Sequence, residues 1–367
     1  MLLQRQSGIT DHKHFSNAAI ARAPSASPLP VVTGAEPRVP NFGGPSLDQF
    51  LEQNATVAFI VIKHGQVILE RYYHGYDRDS LATSFSVAKS VVSALTGIAI
   101  ASGKIGSVDD PITRYVPELA SRDARFAYIT IRHLLAMRSG IRFDEGYLSP
   151  FDDAARFYLT PDLLSRMTAV QIKGPPDETM SYSSGDTQLL GLIIERATGV
   201  RLPEYLQEKI WQPMGAAYDA SWSLDSEKKG MTKAFCCLNA RPLDYARFGL
   251  LYLNGGKFNG RQIIPEQWVS ESTAVRPYAG VDAPARWNME LAAGPRPAYY
   301  TWQWRRPAER DPDSVLGFKP RRDFYAEGLH GQVIYIAPDQ DMVIVRLGMQ
   351  HGQVWWPGLL GAIARLN

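Results

Sequence analysis

Apolar positions follow two different rhythms along the chain. From Val87 to Ala101 the residues are small or apolar on nearly every side, interrupted mainly by Ser and Thr. A helix with no wet face belongs inside the protein, and this one is too short to span a bilayer. Its hydroxyls are expected to bond back to the preceding turn. Val57–Ile62 and Gln66–Tyr73, separated by Lys63-His64-Gly65, read as a β-hairpin. Ala298–Trp304, Gln332–Ile336 and Met342–Leu347 read as later strands. The stretches between are helical in period: Thr130–Met137 behind a threonine cap, Asp186–Ala197 closed by Gly199, then Pro203–Trp211, Pro242–Leu253 and Pro265–Ser272. A capped helix at Ser46–Glu52 opens this series and Trp355–Leu366 closes it. Early and late strands with helices between them predict an α+β fold, in which one antiparallel sheet is built from both ends of the chain and flanked by helices. The insertion over about 105–297 reads as all-α, and the groove between sheet and insertion is the expected place for a site.

Composition adjusts this picture at the edges. Residues 1–45, rich in Pro, Ala, Ser and Gly from Ala21 onward, predict an extended surface arm ahead of a folded domain at 46–367. With 45% hydrophobic and 21% charged residues the chain can bury a large core. Its 39 basic and 37 acidic residues are interspersed, which argues against nucleic acid or an anionic membrane as partner. The first six residues hold no apolar segment of the secretory kind, so a cytoplasmic location is expected unless a leader was removed. Cys236 and Cys237 are adjacent. Neighbours do not easily close an unstrained disulfide, so they read as small buried hydrophobes. His64 and His74 fall at strand ends and are expected to face solvent, whereas His133 reads as a satisfied boundary residue on a short helix.

The anomaly is Lys89 on the apolar helix. An ammonium carried there costs several kcal/mol unless it is paired or loses its proton. Ser86 lies three residues earlier, on the same face and one turn nearer the N-terminus. A desolvated lysine can act as base toward a serine hydroxyl, and a backbone N–H at a helix start is available to a developing oxyanion. S-x-x-K is expected about once by chance in a chain of this size. A second copy, Ser226 to Lys229, lies in a polar run where nothing desolvates the lysine. Leaving-group protonation needs a further group, and Tyr182, on the loop entering the Asp186 helix, is the candidate.

Ser86-Val87-Ala88-Lys89, Tyr182-Ser183-Ser184 and the stretch Phe324–Gln332 before a hairpin, together with phrases such as His133–Gly140 and Asp244–Gly249, resemble the serine β-lactamase and penicillin-binding protein superfamily. The likeness is greatest to its class C-like serine hydrolases, the branch with esterases and 6-aminohexanoate-dimer hydrolase. That resemblance implies Ser86 as the acylated nucleophile, Lys89 as base and Tyr182 as general acid/base. Aligning Ala326-Glu327-Gly328 with the family's Lys-Thr-Gly makes the backbone of Leu329 the second oxyanion donor beside that of Ser86. Two polar anchors of penicillin-recognising members are replaced, the amide by Ser184 and the cation by Ala326, which favours esters or amides over β-lactams. Ser184, His330 and Tyr147 are candidate substrate contacts, and Trp287 a possible pocket wall. The expected substrate is a small-molecule ester or amide, with no metal or organic cofactor. The alternatives are a β-lactamase or DD-peptidase, and a non-catalytic sensor with the same fold.

Overall fold

The computed structural model describes residues 7–26, 28–32, 34, 36–147, 149, 151–278, 289–290, 297–314 and 316–367. Nine antiparallel strands form the main sheet. Thr56–Lys63 and Gln66–Tyr72 supply one edge, and Met342–Gly348, Gln332–Ala337 and Phe324–Gly328 continue it inward. Val343 faces Ile62 and Ile334 faces Val345, which joins the two ends of the chain at the sheet's centre. The apolar run Val57–Ile62 is unbroken because both faces are covered. Ile60 and Ile62 face a core shared with the helices Val87–Ala101 and Pro242–Leu253. Phe59 and Val61 pack with Leu51, Leu360 and Ile363 of the first and last helices.

Strands Arg305–Arg310 and Phe318–Pro320 extend the other side of the sheet, and the expected strand at 298–304 stops at Tyr300. Gln303, with φ of 67°, turns the chain there. The insertion is not purely helical. Ala220–Ser223 and Leu238–Ala240 pair with each other inside a four-stranded sheet whose outer members are Asn17–Ile20 and Ala82–Thr83. Regular structure therefore begins well ahead of Ser46. Asn17–Ile20 carries no strong strand pattern and takes its shape from the pairing with Ala220–Ser223. Ile9, Ile20 and Ala23 are buried.

The two cysteines depart from expectation, since Cys236 and Cys237 are joined as a vicinal disulfide. The turn that holds them is pinned by Trp222, whose indole N–H donates to the carbonyls of Lys233 and Cys236 at 3.0 and 2.7 Å. The helix Val87–Ala101 is buried from Val87 through Ala99. Only Thr96 bonds back along it, to the Val92 carbonyl; Ser90 and Ser93 donate outward, to the carbonyls of Gln303 and Trp302. Gly97 admits the Trp268 ring, which would lie 2.2 Å from a Cβ at that position. Among the described residues no helix is long and apolar enough to cross a membrane.

Candidate active site

Ser86 stands at the N-terminus of the buried helix, delivered by the strand Ala82–Thr83. Ser84 N–H donates to the Leu238 carbonyl at 2.8 Å, and Phe85 takes a φ of 46°, a left-handed conformation costing a side chain-bearing residue about 1–3 kcal/mol. That turn sets Ser86 at the first position of the helix. Its N–H makes no hydrogen bond among the described residues.

Lys89 is 1% exposed. Its Nζ lies 3.1 Å from Ser86 Oγ, 3.0 Å from Ser184 Oγ and 2.9 Å from the Phe235 carbonyl oxygen. All three partners are uncharged, and among the described residues no carboxylate pairs with the amine directly. The amine donates to all three, Ser86 Oγ, Ser184 Oγ and the Phe235 carbonyl. The Tyr182 ring covers the same amine at 5.1 Å from its centroid. Tyr182 is half-buried, with Arg305 5.0 Å from its ring and Tyr300 edge-on at 5.9 Å. Two separate segments, the helix start with Ser86 and Lys89 and the loop with Tyr182, thus meet around one amine.

Ser184 is buried and belongs to the lysine's surroundings instead of a substrate-facing surface. It accepts from Lys89 and donates to Glu145 Oε1 at 2.6 Å, while its backbone N–H donates to Glu145 Oε2 at 2.7 Å. Tyr147 donates to the same carboxylate at 2.7 Å. Glu145 is the group that sequence reasoning passed over. It lies beside Asp144 on the loop after Arg142, and one of two adjacent acids in an irregular loop carries no pattern to mark it.

Opposite the helix start, the strand Phe324–Gly328 comes so close that a Cβ on Gly328 would lie 2.5 Å from the Ser84 oxygen and 3.0 Å from Ser86 N. Leu329 follows directly and lines a cavity of about 20 Å³ together with Ser86, Phe85, Phe235 and Tyr147. His330 turns away from that cavity: with φ of 65°, it bonds through Nε2 to the Ser7 carbonyl oxygen at 2.9 Å. Burial lowers the imidazole's pKa, so His330 is held toward its neutral form, a donor from Nε2. Arg346, fully buried, fixes this corner by donating to the carbonyls of His330 and Gly331. A larger polar cleft of about 1110 Å³ adjoins the far side of Tyr182 and Glu145 without reaching Ser86. Trp287 lies outside the described residues. His133 accepts the Thr130 N–H at Nδ1 and bonds Asp177 through Nε2, and in the second Ser-Lys pair Ser226 is half-buried and donates to the Pro161 carbonyl while the exposed Lys229 rests on Asp162. Both are structural.

The beta-lactamase family matches residues 47–352. This chain is a member of it. The 6-aminohexanoate-dimer hydrolase of Paenarthrobacter ureafaciens is 29% identical over 341 residues, covering 90% of this chain and 81% of that enzyme. Esterase EstB of Burkholderia gladioli is 30% identical over 190 residues, 46% of this chain and 48% of the esterase. The solved structure of a candidate 6-aminohexanoate-dimer hydrolase from Bacillus anthracis superposes with a TM-score of 0.78 at 24% identity, over 96% of this chain and 92% of that one. The beta-lactamase family protein described here is a serine hydrolase with the transpeptidase-like fold.

Proposed function

We propose that the protein cleaves small carboxylic esters or amides through an acyl-Ser86 intermediate. The observation that carries this reading is the Lys89 amine, shielded from water and 3.1 Å from the Ser86 hydroxyl. Lys89 takes the Ser86 proton as Oγ attacks the carbonyl carbon. The oxyanion is received by the backbone N–H groups of Ser86 and Leu329. As the bond to the leaving group breaks, Tyr182 gives the leaving oxygen or nitrogen a proton and is reprotonated through Lys89. Water, deprotonated by the same pair, then attacks the acyl carbon, and the pair returns that proton to Ser86 Oγ as the acyl–oxygen bond breaks and the carboxylic acid departs. Ester or amide cleavage is favoured over β-lactam turnover because Ser184 has both sides of its hydroxyl committed, to Lys89 and Glu145. Ala326 is buried where penicillin-recognising members place a cation.

A small fluorophosphonate is expected to add to Ser86, as seen by peptide mass, and Ser86→Ala to abolish both the adduct and p-nitrophenyl ester turnover. An intact protein that gains no mass on Ser86 would remove the proposal's basis. Rapid nitrocefin turnover with little esterase activity would instead place the protein among the β-lactamases.

A further inference from the structure

We propose that the N-terminal segment Ser7–Ile20 is a wall of the active site and sets the size of the acyl group it accepts; this rests on the acyl-Ser86 reading above. The segment is bound to the site at several points. Ser7 lines the cavity beside Ser86, and its carbonyl accepts from His330, the residue after Leu329. The Ile9 carbonyl accepts from Thr83 N–H at 3.0 Å, on the strand that delivers Ser86. Asp11, 5% exposed, accepts from the Tyr158 hydroxyl at 2.6 Å and from Gly8 N–H at 3.0 Å. Phe15 packs edge-on against the Tyr158 ring at 5.1 Å. Tyr158 is itself a lining residue of the cavity, so the arm supplies one wall directly and steadies a second.

The space left is about 20 Å³, room for about one water molecule. Phe85, Phe235 and Leu329 come from the helix start, the pinned disulfide turn and the main sheet. Phe85 and Phe235 are buried and cannot retreat without disturbing Ser86 or Lys89, whereas the Leu329 side chain is exposed. The arm is held at this corner by the Asp11 carboxylate, the buried Ile9 side chain, the Phe15 ring and a few backbone bonds, and the carboxylate is the contact that can be removed without touching Ser86 or Lys89. The smallest acyl groups are therefore the least hindered with the arm in place, and longer acyl chains meet Ser7 and Tyr158.

The test is the acyl-length profile of p-nitrophenyl esters. Wild type is expected to favour acetate over hexanoate by roughly tenfold or more in kcat/KM, the low end of what one methylene decides in an apolar pocket. Asp11→Ala, which removes the clip, should raise hexanoate kcat/KM severalfold relative to acetate. Tyr158→Phe, which keeps the ring and loses only the hydroxyl, should move the ratio the same way. General damage to the fold does not produce a gain on the longer substrate. Wild type that takes hexanoate as readily as acetate would overturn the proposal, as would folded Asp11→Ala and Tyr158→Phe proteins with the wild-type ratio. Absence of a fluorophosphonate adduct on wild-type Ser86 would count against the hydrolase reading and leave the arm's position untouched.

Discussion

Lys89 shares its amine among three acceptors, and one of them, Ser184, passes the contact on to Glu145. The carboxylate accepts from both the hydroxyl and the N–H of Ser184, and from Tyr147. It therefore orients the Ser184 oxygen toward Lys89 without touching Ser86. Glu145→Gln leaves one acceptor oxygen for three donors. It should lower kcat for a p-nitrophenyl ester about 10- to 100-fold, the scale of one hydrogen bond to a charged group, with KM nearly unmoved. An unchanged kcat would mean that Ser184 holds its orientation without the acid. The vicinal disulfide belongs to this scale as well: Phe235, whose carbonyl holds Lys89, immediately precedes Cys236. Alkylation by iodoacetamide in the unfolded protein is expected at neither cysteine before reduction and at both afterwards.

At the scale of elements, two glycines mark where backbones come closest. Gly97 lets the helix Glu266–Thr273 lay Trp268 against the helix Val87–Ala101, and Gly328 lets the end of an inner strand reach the start of that helix. Gly97→Ala overpacks a rigid contact and should cost about 1–3 kcal/mol in urea unfolding while Ser86 still takes a fluorophosphonate. Gly328→Ala should behave differently. Its Cβ meets the Ser84 carbonyl, so the strand carrying Leu329 must withdraw from the proposed oxyanion position. The expected loss is about 100-fold or more in kcat, on the order of removing one oxyanion donor, with a smaller loss of stability. Equal damage to both properties in both variants would show that the close approach serves packing alone.

Across the whole molecule, the buried charges outside the site set the response to pH. Asp186, in the first turn of the helix Ser184–Thr198, is buried, accepts from Ser139 at 2.8 Å, and has its pKa pushed up to about 8 by desolvation. Unfolded, the same carboxyl titrates near 4. Between those limits unfolding releases a proton, so this group's contribution to stability is full below about pH 4 and is lost as pH rises toward 8. Asp186→Asn mimics the protonated form. Its unfolding free energy, measured by urea from pH 5 to 8, should fall less with pH than that of wild type, and parallel curves would place the Asp186 proton elsewhere.

How much of this was legible beforehand depended on whether the signal was local. Ser86 and Lys89 could be paired because a helix fixes what lies three residues away, and the apolar surroundings that bury the amine are written in the same stretch. The strands at both ends announced themselves by apolar runs, and the helices by period and caps. The strand Asn17–Ile20 did not, since its form comes from a partner some 200 residues on, as in the pairing of Asn17 with Ser223. The Phe235 carbonyl is a group every residue owns, and Glu145 is one acid among many; only folding set them around Lys89 and Ser184. The bond between Cys236 and Cys237 was likewise beyond the reach of spacing rules, being shaped by a turn that Trp222 holds from another strand. By itself the sequence determined the sheet built from both ends of the chain and the pairing of Ser86 with Lys89, because periodicity and helical spacing are short-range. The tertiary structure alone decided what surrounds that pair and how much room lies beside it, because those contacts join segments far apart in the chain.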